Sequence, residues 1–282
     1  MRVSVRGSDF FFDVAGTALG VEGGRLVARP TVLALHGGPG FDHAYLKPAL
    51  ATLSHSAQVV YLDLRSQGRS ARMQIESCTL DNMAEDVAAF CDALGLDKPL
   101  VVGHSAGGHV GLKLALRHPG RVGALVLVNA AARVDLAQAF TTLERHHGGE
   151  VRKAAERVFA GDVGPEALDR YMRLVGPTYA HPDNAIALRD LSLSRFAPEV
   201  AAHVFLHELP KYDERDALKN IEIPVLAITG DSDWLAPPAL IYETIREIKK
   251  GAAVVLPNTG HLACNERPSK IAELIRNVQV TP

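Results

Sequence analysis

The sequence predicts an α/β fold with a mostly parallel sheet, helices on both of its faces and a helical cap insertion. Short apolar runs without polar alternation recur along the chain, amphipathic patterns separate them, and one long stretch lacks a strand pattern. The runs cover residues 31–35, 99–102, 124–128, 224–228 and 252–256. Such runs are typical of strands covered on both faces. The 282 residues suit one large domain, since a single core grows to roughly 250–300 residues.

Amphipathic helices are predicted between these strands. Apolar residues spaced by three and four form one stripe that would pack on the sheet, namely Leu80, Met83, Ala84, Val87, Cys91 and Leu94. Near the end of the chain, Pro268 suits the first turn of a helix with apolar residues Ile271, Leu274, Ile275 and Val278. Residues 2–29 contain several turn-forming glycines, and we expect antiparallel edge strands there.

Residues 131–219 carry helical patterning and many charges but no clear strand. Prolines divide this stretch into four or five short helices, because proline disfavours helix at the residue before it; they are Pro165, Pro177, Pro182, Pro198 and Pro210. We therefore expect an α/β core of residues 1–130 and 220–282. The helical cap, residues 131–219, would fold over the strand ends, with a substrate pocket between cap and core.

Composition and charge narrow the class of protein. Lys and Arg number 30 against 32 Asp and Glu, so the chain lacks the basic excess of a nucleic-acid-binding protein. No apolar run approaches the ~18 residues of a membrane span, and the N-terminal segment lacks a signal-peptide pattern. The three cysteines share no metal-ligand spacing. We expect a cytoplasmic protein with a small-molecule substrate, no nucleic-acid or membrane partner, and an oligomeric state left open.

The strongest chemical signal is the motif Gly-His-Ser-Ala-Gly at residues 103–107. It directly follows a predicted strand and precedes a helical pattern, as a G-x-S-x-G nucleophile elbow requires. A serine on such a sharp turn is held out over the edge of the sheet, and small neighbours allow the turn. Ser105 is therefore the predicted nucleophile, and an ordinary glycine-rich turn is the alternative.

An acid and a base follow at the ends of later strands. The run at 224–228 leads into Gly230-Asp231-Ser232-Asp233-Trp234, and the run at 252–256 leads into a loop that ends in Gly260-His261. The order Ser, Asp, His at the carboxyl ends of strands is the one expected for this kind of triad. We predict His261 as the base and Asp233 as the acid. Asp231 is the alternative acid.

The motif His-Gly-Gly-Pro-Gly at residues 36–40 follows the run at 31–35. A glycine here lets a backbone N–H face the nucleophile, which is how an oxyanion hole is built. We assign one donor to Gly38 and the other to Ala106, the residue after the nucleophile. A flexible loop is the alternative for the glycine run.

These motifs resemble the α/β-hydrolase superfamily over nearly the whole chain: HGGPG, DLR with GRS at 63–70, GHSAGG, GDSDW and GHLACNERP. The HGGPG box is similar to that of the proline iminopeptidase group. In that group the elbow commonly has a Gly-Gly-Ser-Trp-Gly form, whereas this chain has the form found in esterases and lactonases. The group also anchors the substrate amine with cap glutamates. Matching positions are only candidates here: Glu144, Glu150, Glu199 and Glu208.

Several other side chains have structural alternatives. His104 and Trp234 are candidates for substrate contact, although packing against the cap is the favoured interpretation of Trp234. Arg65 and Arg69 could bind an anion, but a structural salt-bridge turn with Asp63 is favoured. His146 and His147 lack a third ligand, and we predict no metal site.

The predicted function is hydrolysis of small esters, thioesters or lactones through an acyl-enzyme, without a metal or organic cofactor. The runner-up is a proline iminopeptidase-like aminopeptidase, as the HGGPG resemblance implies. From a different class, the superfamily's fold also serves ligand receptors and cofactor-free oxygenases.

Overall fold

Ten strands lie within residues 1–279, the part of the chain that the computed structural model describes. They are β1 (Arg2–Val5), β2 (Ser8–Ala15), β3 (Leu19–Glu22), β4 (Arg25–Ala28), β5 (Thr31–Leu35), β6 (Gln58–Leu62), β7 (Leu100–His104), β8 (Ala124–Val128), β9 (Val225–Gly230) and β10 (Gly251–Leu256). Eight of them form one sheet in the order β1-β2-β6-β5-β7-β8-β9-β10. The six strands β5 to β10 run parallel, whereas β1 and β2 add an antiparallel edge.

The same residues contain eleven α-helices. They are α1 (Leu46–Leu50), α2 (Leu80–Leu94), α3 (Ala106–Arg117), α4 (Leu136–His147), α5 (Gly149–Phe159), α6 (Pro165–Leu174), α7 (Leu188–Leu191), α8 (Pro198–His203), α9 (Pro238–Arg246), α10 (Ala263–Glu266) and α11 (Pro268–Arg276). The predicted stripes at 80–94 and 268–278 correspond to α2 and α11. The α/β fold class predicted from the sequence is confirmed.

The five predicted apolar runs correspond to β5, β7, β8, β9 and β10, and β6 is a further parallel strand that those runs do not include. Successive strand residues face opposite sides of the sheet, so each strand contributes to two cores. Leu33 and Leu35 pack with α2 and α3, whereas Val32 and Ala34 pack with α1 and α11. The antiparallel character expected for residues 2–29 is confirmed, although β3 and β4 form a separate two-stranded hairpin.

The segment between β8 and β9 contains α4 to α8 together with several 3₁₀ turns. Pro165 and Pro198 begin α6 and α8, because proline fits the first helical turn, where its missing N–H is not needed. The segment is tied to the loops at the strand ends by backbone hydrogen bonds. The N–H of Ala197 donates to the carbonyl of Gly40, and the N–H of His261 donates to the carbonyl of Tyr179, both at 2.7 Å.

Residues 1–279 lack two features that would indicate a membrane or a metal partner. None of the helices found there has both the length and the apolar character needed to cross a membrane. Those residues also contain no cluster of three or more His, Cys, Asp or Glu side chains that could hold a metal ion.

Candidate active site

Ser105 lies in the sharp turn between β7 and α3. Its backbone has φ +52° and ψ −122°, a conformation that non-glycine residues rarely adopt and that recurs at functional sites. The turn fits only because Gly107 lacks a side chain, since a Cβ there would lie 2.3 Å from the carbonyl oxygen of Leu35. Sequence and backbone therefore agree on a sharp strand-to-helix turn at Ser105.

The side chains of Ser105, His261 and Asp233 form one chain of hydrogen bonds. The Oγ of Ser105 lies 2.9 Å from Nε2 of His261. On the other side of the ring, Nδ1 of His261 lies 2.9 and 3.0 Å from the two carboxylate oxygens of Asp233. All three residues are buried, and each follows the end of a different parallel strand. The structure thus brings together the three residues that the sequence singled out.

Asp233 accepts hydrogen bonds at both carboxylate oxygens. Oδ1 accepts from the backbone N–H groups of Leu235 (2.9 Å) and Ala236 (3.0 Å). Oδ2 accepts from the side chains of Asn129 (2.8 Å) and Thr229 (3.2 Å). Burial alone would raise the pKa of Asp233, but the attraction of His261 and these hydrogen bonds outweigh it and lower the pKa below its ordinary value. Asp233 is therefore a carboxylate that holds Nδ1–H of His261.

Asn129 is a site residue that the sequence analysis missed. Its amide nitrogen donates to Asp233 and to the carbonyl of Gly260 (3.1 Å), and its Oδ1 accepts from the N–H of Ala263 (3.2 Å). It therefore joins the acid to both sides of the His261 loop. Its position directly after β8 was the available signal, because polar residues at the carboxyl ends of parallel strands meet at one edge.

Asp231, the alternative acid, has a different place. Its carboxylate accepts from the backbone N–H groups of Asn258 (3.0 Å) and Thr259 (3.3 Å) and from the hydroxyl of Ser232 (2.9 Å). It is exposed and shows no hydrogen bond to His261 within the described residues. Asp231 therefore shapes the loop that leads to His261, whereas Asp233 contacts the imidazole itself.

The glycine loop lies beside Ser105, since a Cβ on Gly37 would stand 2.8 Å from the Cβ of Ser105. Gly37 donates its N–H to the hydroxyl of Tyr45, and Gly40 donates to Gln67, both at 2.7 Å. Gly38 has φ +131°, and its N–H, like that of Ala106, has no hydrogen-bond partner within residues 1–279. Gly38, Ser105 and Ala106 line a common recess. Two backbone donors are thus available next to the hydroxyl.

His104 joins three parts of the site. Its Nε2–H donates to the carbonyl of His261 (2.8 Å), and its Nδ1 accepts from the hydroxyl of Tyr45 (2.7 Å), which itself receives the N–H of Gly37. Burial, and secondarily the neighbouring His261, lower the pKa of His104 to about 3, so the ring is neutral. His104 also lines the cavity described next.

A cavity of about 250 Å³, the main cavity, opens above Ser105 between the strand ends and the segment between β8 and β9. Its walls are mostly apolar and aromatic side chains: Phe41, Val158, Leu168, Tyr171, Met172, Tyr179, Leu191, Phe196, Phe205 and Leu262. Among the described residues that line it, none is Asp, Glu, Lys or Arg. The site therefore suits an uncharged, largely apolar ligand.

The other sequence candidates lie elsewhere. Trp234 is buried against Tyr179, at 5.4 Å between ring centroids, and is not among the residues that line the main cavity. None of the four candidate glutamates lines it either. Glu144 pairs with Arg152, and Glu150 pairs with Lys153 and Arg170. Glu199 lies near Arg72. Glu208 accepts a hydrogen bond from the N–H of Leu80.

The basic residues near 65–69 have structural partners. Arg65 makes a two-point ion pair with buried Asp86, at 2.6 Å for both contacts, rather than with Asp63. Asp63 instead lies 2.6 Å from Nδ1 of His43 and accepts from the N–H of Arg69. The side chain of Arg65 and the backbone of Arg69 therefore take part in structural contacts of this segment.

Residues 30–268 match the family model described as the alpha/beta hydrolase fold. The chain therefore belongs to the α/β-hydrolase family of enzymes. A relative from Caulobacter vibrioides, named as the carbamate hydrolase RutD, is 33% identical over 234 residues, which are 79% of this chain and 80% of the relative.

Solved structures show the same architecture. A thermophilic esterase from Thermogutta terrifontis superposes with a TM-score of 0.73 at 28% identity, over 98% of this chain and 97% of its own. A proline iminopeptidase from Mycobacterium smegmatis superposes with a TM-score of 0.76 at 22% identity, over 98% and 97% of the two chains. The second likeness shows the fold alone and leaves the aminopeptidase expectation a prediction.

Proposed function

We propose that this enzyme is a serine hydrolase that cleaves small carboxylic esters, thioesters or lactones through Ser105, His261 and Asp233. The observation that carries the proposal is the continuous hydrogen-bond chain from Ser105 to Asp233 at the floor of an apolar cavity. A hydroxyl is a weak nucleophile unless an adjacent base takes its proton, and the chain supplies that base together with the carboxylate that orients it.

In the proposed reaction, Nε2 of His261 takes the proton of Ser105 as Oγ attacks the substrate carbonyl. The oxyanion is held by the N–H groups of Gly38 and Ala106. The imidazolium then gives its proton to the leaving oxygen or sulfur, and an acyl-enzyme forms on Ser105. His261 next takes a proton from water, which attacks the acyl carbon. Collapse of the second tetrahedral intermediate releases the acid and returns the proton to Ser105.

The cavity favours esters over the aminopeptidase alternative. An aminopeptidase has to bind a protonated amine, and in a partly dry pocket this cation needs a carboxylate partner. The lining residues in the described chain include no carboxylate, and the four glutamates considered for that role are engaged or exposed away from it. An apolar ester or lactone has no such requirement.

A carbamate is a second candidate substrate, favoured by the similarity to relatives named as carbamate hydrolases. A carbamate carbonyl reacts by the same addition and elimination steps, with an amino group in place of the carbon substituent on the carbonyl. The remaining alternatives are a ligand receptor and a cofactor-free oxygenase. Rapid turnover of simple esters would disfavour both.

The proposal is tested with a panel of p-nitrophenyl esters, lactones, carbamates and proline anilide, on the wild-type enzyme and on Ser105→Ala. The variant should lose activity by about 10⁴-fold or more, because nucleophile and base act as a unit. A fluorophosphonate should label the wild-type protein at Ser105. Turnover that survives in Ser105→Ala, or an adduct on another residue, contradicts the mechanism.

We further propose a core of residues 1–130 and 220–282 and a cap of residues 131–219 that closes the main cavity. Support comes from the helices of that segment, several of which line the cavity. A cytoplasmic location is also proposed. All three cysteines are buried and unpaired, as suits a reducing compartment.

A further inference from the structure

A second, smaller space adjoins Ser105. This small compartment measures about 20 Å³ and shares Gly38, Pro39, Ser105, Phe205 and His261 with the main cavity. Its remaining walls come from α3, from the loop after β8, from the loop after β9 and from the helical segment: Ala106, His109, Asn129, Ala131, Arg133, Val134, Phe159, Leu209, Leu235 and Ala236. A carbonyl held at Ser105 therefore faces two spaces of very different size.

The size of the small compartment limits its occupant. The small compartment measures only about 20 Å³, so it accepts a short substituent and no long chain or aromatic ring. The main cavity is more than ten times larger, at about 250 Å³ against 20 Å³. A bulky aryl or alkyl limb of a substrate fits only the main cavity, and the limb on the other side of the carbonyl has to be short.

Most polar side chains of the small compartment are already satisfied. The amide of Asn129 is bonded to Asp233, Gly260 and Ala263. The guanidinium of Arg133 is paired with Asp135 (2.9 Å) and Glu243 (2.8 Å). Asn129 is thus engaged at both of its polar atoms, and two carboxylates hold Arg133.

His109 is different. It is 7% exposed, and its ring packs at 4.3 Å between centroids against Tyr212. Its Nδ1 is enclosed by protein atoms without a hydrogen-bond partner, so Nε2, which has no hydrogen bond within residues 1–279 either, is the nitrogen left for a ligand. Burial, followed by the nearby His261 and Lys113, lowers the pKa of His109 to about 3, so the imidazole is neutral, with one donor and one acceptor nitrogen. A buried polar side chain without a partner is uncommon, and a polar group bound in the small compartment would supply one to His109.

We propose that His109 determines specificity by pairing with a hydroxyl or amino group on the short limb of the substrate, while the long apolar limb occupies the main cavity. The preferred substrates are then esters with a short polar acyl part, such as glycolyl or carbamoyl. This inference rests on the proposed function, because it assumes that the scissile carbonyl is held at Ser105.

The first test compares two esters of equal size, p-nitrophenyl glycolate and p-nitrophenyl propionate. The aryl group fills the main cavity, and the acyl limbs differ only by a hydroxyl in place of a methyl group. Each kcat/KM is divided by the rate constant of hydroxide-catalysed hydrolysis, which removes the intrinsic reactivity of the glycolate. The corrected ratio should favour glycolate at least about tenfold in the wild-type enzyme, since a site built to pair a hydroxyl rejects its apolar analogue.

His109→Phe keeps an aromatic ring against Tyr212 but removes both nitrogens, and the corrected ratio should fall to within about threefold of unity. His109→Gln keeps a polar atom near the position of Nε2 and should retain part of the preference. Circular dichroism and thermal unfolding verify that both variants fold. A wild-type ratio near unity, or a ratio unchanged in His109→Phe, overturns the proposal.

A matched pair of leucines tests the size limit. Leu209 lines only the small compartment, and Leu168 lines only the main cavity. Leu209→Ala should raise the kcat/KM of p-nitrophenyl pentanoate relative to acetate by about tenfold, whereas Leu168→Ala should leave that ratio within about twofold. A rise in the pentanoate-to-acetate ratio in Leu168→Ala, and not in Leu209→Ala, overturns the placement of the acyl limb in the small compartment. If no ester, lactone or carbamate is hydrolysed, the proposed function fails together with this inference, whereas turnover indifferent to His109 overturns this inference alone.

Discussion

Replacing Asp233 by asparagine should abolish most activity by reversing the proton arrangement on His261. Oδ1 of Asp233 accepts from two backbone N–H groups, those of Leu235 and Ala236, which cannot turn away. The oxygen of an asparagine therefore takes the Oδ1 position, 3.0 Å from Nδ1 of His261, and its NH₂ group takes the Oδ2 position, which lies nearer Nδ1 at 2.9 Å. That group can donate only if Nδ1 is unprotonated.

The neutral imidazole then carries its proton on Nε2, which faces the hydroxyl of Ser105 at 2.9 Å. In this tautomer Nε2 cannot accept the serine proton. Loss of the correct tautomer in a serine triad costs about 10⁴-fold in kcat, which corresponds to about 5.4 kcal/mol of transition-state stabilisation. The NH₂ group also meets the amide donor of Asn129, 2.8 Å from Oδ2.

Asp231→Asn is the matched control, two residues away on the same loop. Its carboxylate accepts from backbone groups of the turn before His261, and an asparagine oxygen still accepts one of those bonds. We expect a loss of less than about tenfold, because the imidazole keeps its carboxylate. Steady-state kinetics with p-nitrophenyl acetate at pH 8 compares both variants with the wild type. A larger loss in Asp231→Asn, or more than a tenth of wild-type activity in Asp233→Asn, refutes the reasoning.

Two further predictions concern substrate choice and pH. Short-chain p-nitrophenyl esters should show a kcat/KM at least about 10²-fold above that of proline anilide, because the main cavity lacks a carboxylate for the amine; this ratio corresponds to about 2.7 kcal/mol of transition-state stabilisation. Faster cleavage of the anilide, lost when its amine is acetylated, contradicts this prediction. His104 has a pKa of about 3 when folded, against about 6.5 when unfolded, so the unfolded chain takes up the proton first and stability is lost as pH falls below about 6.5. Urea unfolding should show that the stability advantage of wild type over His104→Gln shrinks by about 2 kcal/mol from pH 7.5 to 5.0, and equal pH dependence of the two proteins contradicts a neutral buried His104.

Much of the site could be predicted because parallel strands order it. Ser105, Asp233 and His261 each follow an apolar run, and the carboxyl ends of parallel strands meet at one edge of the sheet. The proximity of the three residues is observed, and their catalytic roles stay a prediction. Asn129 follows the same rule but has no neighbouring motif, so its sequence position alone did not distinguish it from an ordinary turn residue.

The contacts that no local pattern reveals involve segments far apart in the chain. His109 has the spacing of a helix residue next to the elbow, and its partner Tyr212 lies more than a hundred residues away. Helical periodicity shows which residues of the segment between β8 and β9 are apolar, but it does not show how short helices joined by proline-containing turns are oriented. The walls of both cavities depend on that orientation, and so substrate size could be inferred only from the structure.

The segment between β8 and β9 also supports His261 through a backbone carbonyl, so the contact does not depend on which side chain the segment carries there. The carbonyl of Tyr179 accepts the N–H groups of His261 (2.7 Å) and Leu262 (3.2 Å), so the main chain of the segment helps fix the loop that carries the imidazole. Any residue at position 179 could supply that carbonyl. The sequence signal of this contact is Gly260, where a Cβ would stand 2.6 Å from the carbonyl oxygen of Tyr179. The glycine before His261 is thus required by the close approach of the helical segment, and the site and its covering helices depend on each other at this point.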